Sequence, residues 1–239
     1  MHRMRRLAVW AGLALGSLSA VNLTASASLI KPDAGRAYPD IAADINGTVH
    51  YTYNPSTQTG NFQVTNTPYL IAGGNSASSE FAINPNSDGI RQQIVNLNLD
   101  KNGNLIAGSS NTYALYGTVT AGGQTFSGLL LEGTPTSFGS QDLGAIGIQG
   151  SDVFDMNINI TGGALADYFG STAYMRLTPE LQSTFDGSFD TNFSATKATS
   201  NTRSYNSPHP FPIPEPTTLL VLVAGGAGLL VRRHRRRAA

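Results

Sequence analysis

Through the middle of this chain apolar and polar residues alternate one by one. In the stretch from Gly47, Val49, Tyr51 and Tyr53 fall on one side and Thr48, His50 and Thr52 on the other. Val95, Leu97 and Leu99 alternate with Asn96, Asn98 and Asp100, after which Asn102-Gly103 reads as a tight turn. Phe154, Met156, Ile158 and Ile160 alternate with Asp155, Asn157 and Asn159, and Phe189, Thr191 and Phe193 with Ser188, Asp190 and Asn192. A repeat of two is the signature of strands with one buried face. Short strands at such intervals, separated by Gly and Asn, predict an all-β body, a β-sandwich or jelly roll, over 40–196. One short helix is expected near Ala164 to Phe169. Residues 28–39 read as a leader, and 197–212, polar and Pro-rich without apolar periodicity, as a linker.

The two ends follow different rules. Arg3, Arg5 and Arg6 precede an apolar run from Leu7 to Leu18, and Ala25-Ser26-Ala27 supplies the small residues that signal peptidase accepts. Residues 1–27 therefore read as a secretory signal peptide, cut between Ala27 and Ser28, with cutting after Ala20 as the rival. At the other end Thr217 to Val231 is apolar over 15 residues. As a helix this spans about 22 Å against a hydrocarbon core of about 30 Å, so it reads as one short transmembrane helix, able to cross a thinned bilayer but a weak permanent anchor. Arg232, Arg233, Arg235, Arg236 and Arg237 follow it and would stop on the cytoplasmic side, leaving the body outside. Ahead of it, prolines at 208, 210, 212, 214 and 216 keep the backbone extended and short of donors.

Pro214-Glu215-Pro216, an apolar stretch and an Arg-rich terminus, in that order over 213–237, resemble the PEP-CTERM sorting signal of Gram-negative bacteria. The resemblance implies recognition and removal of the tail by a membrane-embedded exosortase. It also implies transient residence in the inner membrane and delivery to the outer surface or the extracellular polysaccharide matrix. It covers about a tenth of the chain and implies nothing about the body.

Composition narrows the chemistry. The chain has 239 residues and no cysteine, which excludes disulfides, thiolate metal sites and a cysteine nucleophile. Its formal charge of zero conceals a basic start, a basic end and an acidic middle: 28–213 holds seven Lys and Arg against fourteen Asp and Glu. A body near −7 without a basic patch argues against nucleic acid.

Catalytic patterns are missing from the body. His50 is its only histidine, and one imidazole on a polar strand face is ordinarily solvated. No nucleophile elbow, paired-histidine zinc motif or phosphate loop occurs. Asp100, Asn102 and Asn104, and Asp186, Ser188, Asp190 and Asn192, have oxygen-ligand spacing, but too few charges for an EF-hand loop. The expectation is no cofactor and no metal.

What remains is a polar face. Asn96, Asn98, Asp155, Asn157, Asn159, Asp190 and Asn192 occupy alternate positions on candidate strands, and amides supply donors and acceptors suited to sugar hydroxyls. The sequence thus predicts an exported, non-catalytic structural or adhesive protein with exopolysaccharide as ligand. The alternative is a secreted polysaccharide hydrolase using a carboxylate pair.

Overall fold

The computed structural model describes residues 28–30, 37–74, 77–108, 110–143, 152–181, 183–205 and 207–212. The segment expected to be a signal peptide, Ala25 and Ala27 included, and the tail with Pro214, Glu215, Pro216 and the five arginines lie outside the described residues. Among the described residues no helix is long and apolar enough to cross a membrane.

In chain order the elements are β1 (Asp40–Asn54), β2 (Thr59–Asn66), β3 (Pro68–Ala72), β4 (Glu80–Ala82), β5 (Gln92–Asp100), β6 (Thr112–Ala121), β7 (Gln124–Asp142), β8 (Asp152–Gly162), α1 (Ala166–Phe169), β9 (Thr172–Leu181) and β10 (Phe193–Ser204). The body is all-β, as expected. It is not a sandwich. Antiparallel pairing runs β1-β2-β5-β6-β7-β8-β9-β10 and returns to β1, closing an eight-stranded barrel. Strand β1 takes β2 along its second half and β3 along its first, and β3–β4 forms a flap on that wall. Alternation reports which side of a strand is buried. It carries no trace of whether the last strand finds the first.

The closing strand was the unexpected one. The segment from Lys197 to Ser204, expected as linker, is the second half of β10 and pairs with both β9 and β1. Its inward positions beyond Ala198 are Ser200, Thr202 and Ser204, all buried, so they give no hydrophobic alternation. They are nevertheless satisfied. Gln93 Nε2 donates to Thr202 Oγ1 at 2.8 Å and to the Tyr113 hydroxyl at 3.1 Å. Ser200 Oγ donates to Gln93 Oε1 at 2.7 Å and accepts from Asn66 Nδ2 at 3.1 Å. Ser204 Oγ donates to the Phe169 carbonyl at 2.6 Å. A buried polar group costs little only when so paired.

The other half of the interior is aromatic. Tyr51, Phe62, Phe138, Phe154, Phe185, Phe189 and Phe193 pack ring against ring, with centroids 4.8 to 6.2 Å apart. Gly60 makes room for Tyr51, since a Cβ there would lie 2.3 Å from its ring. Phe185 and Phe189 come from the loop 183–192, which stoppers this end of the barrel, so the stretch expected as a strand from Ser188 to Asn192 is a cap, and the strand starts at Phe193. Tyr51 donates to the Phe189 carbonyl at 2.8 Å and ties the stopper down; burial pushes its phenol up to about 12. The barrel is filled, with α1 and its buried Phe169 at the opposite end.

The leader is partly seated. Ser28–Ile30 lies across β7 and β8, where the Ile30 amide donates to Asp155 Oδ1 at 3.0 Å. Gly139 allows the approach, since a Cβ there would stand 2.5 Å from the Ser28 carbonyl oxygen.

Candidate functional site

With interior and exterior assigned, the predicted polar residues can be placed. Asn96 and Asn98 face outward on β5, and their rows continue onto β2 and β1, not onto β8. One rung carries Ser194, His50, Gln63, Asn96 and Thr112 across five strands; the next carries Thr52, Asn61 and Asn98. On these two rungs His50 stands among amides and hydroxyls only. Asn98 is committed to its own surroundings: its Nδ2 donates to Ser110 and its amide to Asn111 Oδ1.

Asp155, Asn157 and Asn159 lie on β8, three strands from β5 around the barrel, so the single continuous face expected from the sequence does not exist. Asp190 and Asn192 belong to neither row. They sit in the stopper, where Asp190 accepts from Ser188 and Asn192 Oδ1 accepts from the Tyr53 amide at 2.7 Å.

The β8 row joins a different group. One rung runs Asp155, Arg176, Asn201, Ala42 and Leu70; its neighbour runs Asn157, Tyr174, Arg203, Asp40, Ala72 and Glu80. Two cations and three carboxylates of a weakly charged barrel thus stand on two adjacent rungs. Asp155 is fully buried beneath the leader, accepts from the Tyr174 hydroxyl at 2.9 Å and lies 3.6 Å from the Arg176 guanidinium. Burial first, and then the Asp155 charge, push the Tyr174 phenol well above its ordinary value. Tyr205 stands edge-on to Tyr174 and donates to Asn157 Oδ1 at 2.9 Å.

Beside this cluster the wall opens into a depression of about 600 Å³. Asp40, Glu80, Asn201 and Arg203 line it with Tyr69, Ala42, Leu70 and Ala72. Arg203 Nε donates to Asp40 Oδ2 at 3.3 Å and Asn201 Nδ2 to Asp40 Oδ1 at 3.4 Å, so the polar side is held in place. Tyr69 is 47% exposed, an aromatic left open to solvent at the edge. Sequence reasoning missed these residues. Asn201 and Arg203 fell in the presumed linker, and Tyr69, Asp40 and Glu80 meet only through the pairing of β1, β3 and β4.

The two stretches weighed for calcium satisfy themselves. The Asn102 and Asn104 amides donate to Asp100 Oδ1 at 2.8 and 2.9 Å, and Asn104 Nδ2 to Asp100 Oδ2 at 3.0 Å. Burial works to raise the Asp100 carboxyl, but these bonds and Lys101 outweigh it and hold it below the ordinary range. Asp186 accepts from the Ser188 amide at 3.1 Å. Among the described residues no three His, Cys, Asp or Glu side chains converge as a metal would need from such ligands alone.

Comparison with family models, curated proteins and solved structures finds no match to this chain.

Proposed function

We propose that this protein is a non-catalytic, glycan-binding barrel displayed at the cell surface or in the extracellular polysaccharide matrix. Its signal peptide and its PEP-CTERM-like tail would carry it there through signal peptidase, the inner membrane and an exosortase. The observation that carries the binding reading is the depression beside Tyr69. A sugar presents apolar C–H faces and a rim of hydroxyls. An exposed tyrosine ring offers the flat apolar partner, and Asn201, Arg203 and Glu80 offer fixed donors and acceptors around it. The outer surface of β10 and β1 continues from the depression past Thr196 and Thr48 to Ser194 and His50, a polar track along which a chain molecule fits better than a compact ligand.

A second reading, glycoside hydrolysis, draws on Asp40 and Glu80 sharing one rung two strands apart, about 10 Å at the backbone. Against it, Asp40 is buried and already engaged by Arg203, which is the environment of a fixed structural anion rather than of an acid that gives up a proton.

Affinity electrophoresis in gels containing neutral or acidic polysaccharides separates these readings. Retardation by at least one neutral polysaccharide is expected, with Tyr69→Ala weakening it roughly tenfold, in line with the loss of an aromatic anchor. Release of reducing ends, abolished in Glu80→Gln, would turn the assignment to the hydrolase. Equal mobility with and without every polysaccharide would remove the binding reading.

A further inference from the structure

The depression beside Tyr69 has a back as well as a front. Leu70, Ala72 and Glu80 of the β3–β4 flap line it, on the two rungs that pair Leu70 with Ala82 and Ala72 with Glu80. The rung between them, Ile71 with Phe81, points the other way, as alternation requires. Ile71 is fully buried, and Phe81 packs against the edge of the core. The flap itself is slight. β3 has five residues and β4 three, and together they end the sheet order. Short edge elements of this kind open more readily than the wall they lean on.

The space behind Phe81 is filled by Phe211, from the segment expected as linker, and its residue is only 3% exposed. The Phe211 ring stands 5.6 Å from that of Phe81 and 5.5 Å from that of Tyr168 on α1. Gly73, just past β3, leaves room for it, since a Cβ there would stand 2.9 Å from the Phe211 Cβ. Next along the chain, Pro212 lies over Gly122 in the β6–β7 turn, again 2.9 Å from where a Cβ would be. The α1 side of this contact is firm. The Ala164 and Leu165 amides just ahead of α1 donate to the Leu129 and Leu130 carbonyls at 3.0 and 2.9 Å, and Tyr168 meets Phe126 edge-on at 5.6 Å. Pro210 and Pro212 have no N–H with which to join a ladder, so side-chain packing seats this stretch. One ring thus bridges a fixed helix and a short flap.

We propose that Phe211 is a positioning residue: it braces the β3–β4 flap from behind against α1 and so holds Tyr69 and Glu80 in place for the glycan. A sugar stacked on Tyr69 pushes on a strand that Phe211 supports, and a flap already fixed loses less freedom on binding. The consequence for binding rests on the glycan reading, whereas the bracing stands on the ring contacts alone. It also gives the C-terminal segment a part in the site. Removal of the tail near Pro214 would leave the brace in place, and a cut ahead of Phe211 would take it away.

The test compares the full chain with Phe211→Ala and the milder Phe211→Leu by amide hydrogen exchange, and by affinity electrophoresis in hydroxyethylcellulose, glucomannan and xyloglucan. Two amides report the flap: Gly73 donates to the Ser79 carbonyl at 2.7 Å and Ile83 to the Tyr69 carbonyl at 2.9 Å. In Phe211→Ala both are expected to exchange about tenfold faster while amides of β5 and β8 keep their rates, with Phe211→Leu in between. Retardation by polysaccharide is expected to weaken several-fold in Phe211→Ala, although Phe211 lies behind the flap and not in the depression. Unchanged exchange at Gly73 and Ile83, or equal acceleration throughout β5 and β8, would overturn the proposal, the second by making Phe211 an ordinary core residue. Faster flap exchange with undiminished retardation would overturn it too. Faster flap exchange in a protein whose wild type no polysaccharide retards would uphold the brace and remove the glycan reading instead.

Discussion

Phe154→Ala is expected to cost about 3–5 kcal/mol, the usual range for emptying a fully buried aromatic site. Phe154 is at the centre of the aromatic half. Its ring meets Phe62 at 5.2 Å, Phe185 at 5.1 Å, Phe193 at 5.9 Å and Phe138 at 6.1 Å. Those partners come from β2, the stopper, β10 and β7, so the cavity cannot close by moving one element. A domain of this size holds about 5–15 kcal/mol in total, and each kcal/mol moves its melting point by about 2–4 °C. Thermal unfolding should show a loss of roughly 6–20 °C. A loss under about 1 kcal/mol would mean the rings do not share one core.

Gln93→Leu should be nearly as severe, for the opposite physical reason. Leucine fills similar space but offers nothing to Thr202, Tyr113 and Ser200, which now bond to the Gln93 amide. Stranding buried hydroxyls costs about 1–3 kcal/mol apiece, partly relieved by the remaining contacts, so a loss of about 2–4 kcal/mol is expected. Gln63→Leu is the control, because Gln63 faces outward on β2 and its replacement should move stability by less than about 0.5 kcal/mol. Urea midpoints at constant m-value would measure both. Similar losses at 63 and 93 would refute the assignment of inside and outside.

Those two residues also show what the sequence discloses and what it hides. The aromatic half was legible: Tyr51, Phe154 and Met156 announce their buried face by alternating with Thr52, Asp155 and Asn157. The polar half was not. Gln93, Ser200 and Thr202 look like surface residues until their hydrogen bonds are seen, and for that reason the closing strand read as linker. Phe189 misled in the other direction, since it is buried from a loop and needs no strand to get there. The rows on β5 and β8 face outward, whereas the third, Ser188, Asp190 and Asn192, lies in the stopper and not on a strand, and what each row meets depends on which strands pair. Asn96 proved to neighbour Gln63 and His50, while Asn157 proved to neighbour Tyr174 and Arg203. A site made from β1, β3, β4 and β10 has no local signature. Asp40, Tyr69, Glu80 and Arg203 are far apart in the chain and become a group only through register.

The central claim is that this outer depression is where the barrel meets a glycan. Backbone amide NMR during titration with a neutral oligosaccharide, chosen from whichever polysaccharide retards the protein, tests it residue by residue. Shifts are expected to concentrate at Asp40, Tyr69, Leu70, Glu80, Asn201 and Arg203 and to fade along β10 toward Ser194. Shifts confined to Asn61, Asn96 and Asn98, or to the Asp152 end, would contradict it.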